Sequence, residues 1–187
     1  YLLGLKPHET VSPNLVSCVK MGTTVATNAL LERKGERTLL VTTRGFRDAL
    51  RIAYQNRPRL FDRQIVLPEL LYTEVIEAQE RIGAHGEVLQ VLDAAQLRAQ
   101  LQAAHGCGLR SVAIVFMHGY RYTAHEAQAA QWARELGFTQ VSASHQTSPL
   151  MKWVSRGDTT VVDAYLSPIL RRYVDQVASE MLGVKLM

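Results

Sequence analysis

The sequence predicts an α/β domain, and three observations predict it. Residues 111–117 (SVAIVFM) form a continuous apolar run, as expected for a strand buried on both faces. Thr38–Thr43 (TLLVTT) is a second run, β-branched and apolar. Helix-start signals and helical periodicity fill the segments beside these runs, so strand, helix and strand alternate at βαβ spacing. A length of 187 residues suits one such domain, or one with a small appendage.

Taken in order, residues 15–20 are a short β-like run ending at Gly22. Residues 23–34 read as a helix with Thr23 or Thr24 as cap. Val25, Ala26, Ala29 and Leu30 form its apolar face, and Gly35 stands at the stop. The strand at 38–43 follows. Gly45 then opens a turn and 46–53 fits a short helix. Gln55-Asn56-Arg57-Pro58 and Pro68 argue against regular structure over 54–70. Residues 71–76 and 78–82 read as an antiparallel hairpin, followed by the polar turn Gly83-Ala84-His85-Gly86. Residues 54–90 would then be a loop and hairpin excursion from a mixed sheet with flanking helices.

The second half is more regular. Asp93 and Gln96 start a helix with Leu97, Leu101 and Ala104 on one face and Gly106 beyond its end. Thr123 and Glu126 read as a capping box for a helix to Leu136, stopped by Gly137, and 138–143 is a strand. Residues 158–182 are helical. Pro168 there cannot donate to the Ala164 carbonyl, so a kink or restart is expected, with Ser167 as a new cap.

Composition narrows the function classes. No apolar run approaches the roughly 18 residues that span a bilayer, so no membrane partner is expected. Residues 1–15 lack the basic start and apolar core of a signal peptide, and the start at Tyr1 suggests a piece of a longer protein. Cys18 and Cys107 make no disulfide framework, which points to inert thiols in a reducing cytoplasm. None of the six histidines stands in a zinc-binding pattern, and no metal ligand is assigned. Net charge is +4, and residues 33–63 hold nine Lys and Arg against three Asp and Glu. Such a block suits an anionic small ligand or a solvated surface. Without a nucleic-acid motif beside it, a nucleic-acid partner is discounted.

The familiar nucleotide and nucleophile loops (G-x-x-x-x-G-K-[ST], G-x-G-x-x-G, G-x-S-x-G) are absent. Three segments remain as candidates. Gly22, Thr23, Thr24 and Asn28 sit where a strand passes into a helix. There a glycine turn, free N–H groups and two hydroxyls can hold an anion or a polar carbonyl, unless the threonines are ordinary caps. Asn56 and Arg57 lie in a proline-bounded loop, where a guanidinium can grip a carboxylate or phosphate bidentately, or simply be solvated. Asp158 and Thr159, with Asp163 about one turn on, can cap the last helix or face a cleft.

Five blocks, in order across residues 16–174, carry a resemblance. They are MGTTVATNALLERKG at 21–35, LVTTRGFRD at 40–48, QNRP at 55–58, GAHGE at 83–87 and TTVVDAYLSP at 159–168. Together they resemble the N-terminal domain of the hydantoinase A/5-oxoprolinase family over nearly the whole chain. Ile52-Ala53-Tyr54 and Pro68-Glu69-Leu70-Leu71-Tyr72 are closer to the 5-oxoprolinase branch. The resemblance implies a ribonuclease-H-like, actin-like ATPase lobe spanning 1–187. It implies ATP and Mg²⁺ as cofactors, and ATP-driven opening of a cyclic amide, 5-oxoproline to glutamate. It also implies a Gly-Gly-Thr-rich phosphate hairpin before this stretch and a second domain after it, so the 187 residues alone are expected to be inactive. The catalytic residues stay unassigned, and a homo-oligomer stays open. Two alternatives remain: ring opening of the N-methylhydantoinase type, and a non-catalytic scaffold lobe. Convergence of Thr23, Thr24, Asn28 and Arg57 on one cleft would favour the enzyme reading.

Overall fold

The computed structural model describes residue 4 and residues 14–55, 61, 63–64, 66–181 and 183–187. Its centre is a four-stranded sheet of β2 (Thr38–Thr43), β3 (Tyr72–Ala78), β6 (Ser111–Val115) and β7 (Gln140–Ala143), in the order β3-β2-β6-β7. Every pairing within it is parallel. The remaining strands pair apart from it. β1 (Cys18–Val19) lies parallel to β8 (Lys185–Leu186), and β4 (Arg81–Ile82) lies antiparallel to β5 (Val88–Gln90).

Parallel neighbours need crossover connections, and these supply the outer layers. Side chains of a strand alternate between faces, which divides the core in two. Leu39, Val41, Val112 and Ile114 pack with α3 (Ala94–Gly106) and α4 (Ala124–Glu135). Leu40, Ala113 and Val115 face α2 (Ala49–Ile52) and α6 (Trp153–Glu180), against Leu50, Val161 and Ala164. All six residues of β2 and all five of β6 are buried, as the apolar runs predicted. Burying each such Leu, Val or Ile contributes on the order of 1.5–3 kcal/mol. Leu97, Leu101 and Ala104 are buried on α3 as expected, and the Gln96 amide donates to the Asp93 carboxylate at 3.0 Å.

Several expectations are corrected. Residues 71–76 and 78–82 do not pair with each other; β3 is the edge of the main sheet, parallel to β2. The hairpin comes later, and the 83–86 turn joins β4 to β5. The first helix, α1 (Val25–Leu31), is shorter than the predicted 23–34. The left-handed residue after it is Arg33, at φ 55°. Gly35 serves another need, because the ring of Tyr165 on α6 occupies the space a Cβ would fill. Gly106 ends α3 inside the helix, and the positive φ of 86° falls at Gly108.

The last helix starts at Trp153, five residues before the predicted start, so Asp158 is an interior residue and not a cap. Gly157 lies within it because Leu50 packs directly over the glycine. The helix also runs through Pro168 without a break. The carbonyl orphaned by the proline, that of Ala164, accepts instead from the Ser111 hydroxyl at 2.5 Å. The neighbouring Tyr165 carbonyl accepts from the Glu36 amide at 2.9 Å. Ser167 restarts nothing; its hydroxyl donates to Asp163 Oδ1 at 2.8 Å.

Candidate functional site

In open α/β sheets ligands bind beyond the carboxyl ends of the strands, where successive connections diverge to opposite sides. Here the chain leaves β2 toward β3 on one side and leaves β6 toward β7 on the other. The carboxyl ends of β2 and β6 therefore flank such a point, and a buried polar network ties them to the ends of β3 and β7.

Glu126 on α4 is fully buried. Its Oε1 accepts from the Phe116 amide at 2.8 Å and the Ser144 hydroxyl at 2.6 Å. Its Oε2 accepts from the His145 amide at 3.0 Å and lies 2.8 Å from His145 Nδ1. Arg156 on α6 is equally buried. Its guanidinium donates to Ser144 Oγ at 2.7 Å and to the carbonyls of Phe116 and Met117 at 2.9 Å each. It stands 3.5 Å from Glu126 Oε1 and over the ring of Tyr120. Burial pulls the guanidinium's pKa below its usual value, and Glu126 and then Tyr120 oppose that pull. A second pair lies beside the first. Glu80 is 2.8 Å from His125 Nδ1 and accepts from the Thr43 hydroxyl, whose oxygen takes the Met117 amide at 3.0 Å. This network fixes the turn after β6, which carries His118 and Tyr120.

Sequence reading gave Glu126 only a capping role. The Thr123 side chain makes no cap bond, and the carboxylate turns inward. Its partner His145 is 19 residues away, and Glu80 and His125 are 45 apart. Local motifs carry no signal for pairs at that distance.

The candidate residues are dispersed. Gly22, Thr23, Thr24 and Asn28 are exposed at the start of α1, and nothing approaches the missing Cβ of Gly22 within 4 Å. The Thr23 hydroxyl accepts from the Val25 amide at 3.2 Å, while Thr24 makes no side-chain cap bond. Asn56 and Arg57 lie outside the described residues. The Thr159 hydroxyl donates to the Ser155 carbonyl. Both oxygens of Asp163 are engaged, one by Ser142 at 2.6 Å and one by Ser167.

Asp158 lines a cleft of about 500 Å³ between α1, α2 and α6, walled mainly by apolar side chains. Loss of solvation there pushes its carboxyl above the usual carboxylate range. Thr159 and Asp163 line a separate cleft of about 290 Å³, and a third of about 510 Å³ lies along 45–49 with Ile52 and Glu77. Thr23, Thr24 and Asn28 line none of the three. Among the described residues, no three His, Cys, Asp or Glu side chains converge to hold a metal ion. No described helix is long and apolar enough to cross a membrane.

The chain belongs to the hydantoinase/oxoprolinase family: the model of the hydantoinase/oxoprolinase N-terminal region matches residues 3–137. A 5-oxoprolinase of Dictyostelium discoideum is 39% identical over 191 residues, covering 89% of this chain and 15% of that protein. 5-Oxoprolinase 1 of Arabidopsis thaliana is 41% identical, covering 88% of this chain and 14% of that protein. The chain thus spans about one seventh of these relatives' length. In structure it is similar to the ATP-dependent caprolactamase from Pseudomonas jessenii, with a TM-score of 0.78 and 30% identity over 87% of this chain and 24% of that one. Acetone carboxylase, in its nucleotide-free structure, shares the fold at a TM-score of 0.74 and 20% identity, covering 94% of this chain and 27% of that one. The family read from the five sequence blocks is borne out, and so is the α/β lobe.

Proposed function

We propose that this chain is the N-terminal lobe of an ATP-dependent cyclic-amide hydrolase that opens 5-oxoproline to glutamate. The observation that carries the proposal is the 39–41% identity to 5-oxoprolinases over almost nine tenths of the chain. The ATP requirement named for the caprolactamase supports it. The chemistry is coherent. A five-membered lactam resists attack by water, and transfer of the ATP γ-phosphoryl group to the amide oxygen makes a leaving group and activates the carbon. Such a transfer needs positioning and charge neutralisation more than a protein nucleophile.

In this proposal the exposed turn of Gly22, Thr23, Thr24 and Asn28 faces a cleft completed by the rest of the protein. Its free amides and hydroxyls are available there to an anion or a carbonyl. Arg57, beside Asn56, holds the carboxylate of 5-oxoproline, a group that a hydantoin lacks. Mg²⁺ accompanies ATP, and this lobe supplies positioning rather than a metal cage. The enzyme is placed in the cytoplasm, where its free thiols Cys18 and Cys107 stay reduced.

One observation favours a second reading, a scaffold lobe: among the described residues, Thr23, Thr24 and Asn28 line none of the three clefts described above. A substrate panel separates the readings. ADP release by the full-length protein is measured with 5-oxoproline, N-methylhydantoin and caprolactam. The proposal expects the highest kcat/KM with 5-oxoproline. A preference for N-methylhydantoin would move the assignment to the hydantoinase branch, and ADP release that no lactam stimulates would leave the scaffold reading.

A further inference from the structure

The cleft between α1, α2 and α6 has the makings of an interface rather than a substrate pocket. Leu30, Leu50, Leu71, Val161 and Val162 form most of its wall. Its rim is apolar as well: Leu31 is 76% exposed and Leu70 is 37% exposed. A soluble surface seldom leaves contiguous apolar side chains uncovered unless something packs on them.

Charge argues against either expected ligand. Asp158 and Glu69 both line the cleft, and 5-oxoproline and ATP are anions. Arg33 also lines it, but none of the three carries a side-chain hydrogen bond or ion pair to another described residue. Among the described residues that line the cleft, the exposed Asp158 and Glu69 outnumber the one cation, Arg33, so a Lys or Arg arriving there would complement the lining. In the relatives most of the polypeptide lies outside the stretch that matches this chain.

We propose that this cleft seats an apolar segment from the remainder of the longer polypeptide, one that presents a Lys or Arg to Asp158. The seating rests on this chain being one lobe of a longer protein, not on which lactam that protein opens. The cleft would thus hold the lobe in register with its neighbour, while substrate and nucleotide bind elsewhere.

The test is maleimide labelling of Leu31→Cys in the full-length protein, read by mass at position 31, so other cysteines do not interfere. The substitution is at an exposed position and leaves the core intact. The labelling rate is compared with that of the same cysteine in urea. The proposal expects protection of about tenfold or more in the monomeric, ligand-free protein, unchanged by 5-oxoproline or ATP. Asp158→Lys should weaken that protection. Labelling within about twofold of the urea rate would show an open surface and overturn it. Protection only on adding lactam or nucleotide would make the cleft a ligand site, and protection only at concentrations where the protein dimerises would assign it to a second copy. Either outcome also overturns the proposal. The labelling rate does not depend on the substrate panel, so the two can fail separately.

Discussion

Replacing Arg156 with Met should loosen the carboxyl end of the sheet more than any other single polar substitution there. Methionine keeps much of the length but removes the donors to Ser144 Oγ and to the carbonyls of Phe116 and Met117. It also removes the charge 3.5 Å from Glu126, leaving a buried carboxylate whose one remaining ionisable partner among the described residues is His145. Breaking a buried pair by deleting one partner costs about 3–5 kcal/mol. The freed carbonyls lie within the same network, so their cost does not simply add. For a lobe of this size, about 2–4 °C is lost per kcal/mol, so the transition that unfolds it should drop by roughly 10 °C. The assay is thermal unfolding of the full-length protein, with proteolytic cleavage within 117–123 as the local reporter. Adding Glu126→Gln should recover on the order of 1–2 kcal/mol, because the uncompensated charge is then gone. A drop of less than about 2 °C, with 117–123 still protected, would refute the view that this ion pair holds the turn.

Further predictions follow from the same structure and from the sequence motifs. Ser111→Ala orphans the Ala164 carbonyl and should cost about 1–3 kcal/mol in urea unfolding; pairing it with Pro168→Ala, which restores the helical donor, should cancel most of that cost. Thr24 makes no cap bond, so Thr24→Val should change stability by less than about 0.5 kcal/mol while lowering turnover of the full-length enzyme; unchanged kinetics would return the 22–28 turn to plain helix initiation. Arg57→Ala should lower kcat/KM for 5-oxoproline by about 10- to 150-fold, with Arg57→Lys recovering only part. A rise in the KM for ATP instead of the lactam would move Arg57 to the phosphates.

The core was legible in the sequence wherever burial is continuous. Apolar runs with no alternation belong to central parallel strands, and Leu97, Leu101 and Ala104 mark a helix face whatever lies opposite. Pairing partners were not legible. Tyr72–Ala78 mixes Glu74 and Glu77 with Val75 and Ile76 as a hairpin strand would, but an edge strand of a parallel sheet looks the same. Gly157 and Pro168 both argue locally against one long helix. Leu50 packing onto the glycine and Ser111 reaching the orphaned carbonyl override them, and both partners lie far away in sequence. The Glu126–Arg156 network was hidden for the same reason, since Thr123-x-x-Glu126 has an adequate local explanation that the fold does not use. The family, by contrast, was readable, because its blocks are local strings of residues.

The most direct test of the central claim is the coupling of products in the full-length protein supplied with ATP, Mg²⁺ and 5-oxoproline. Phosphate and glutamate should appear together in about a 1:1 ratio, and neither should form when the lactam is omitted, because one phosphoryl transfer activates one ring. Phosphate release at the same rate with and without 5-oxoproline, or lactam opening without ATP consumption, would contradict the account.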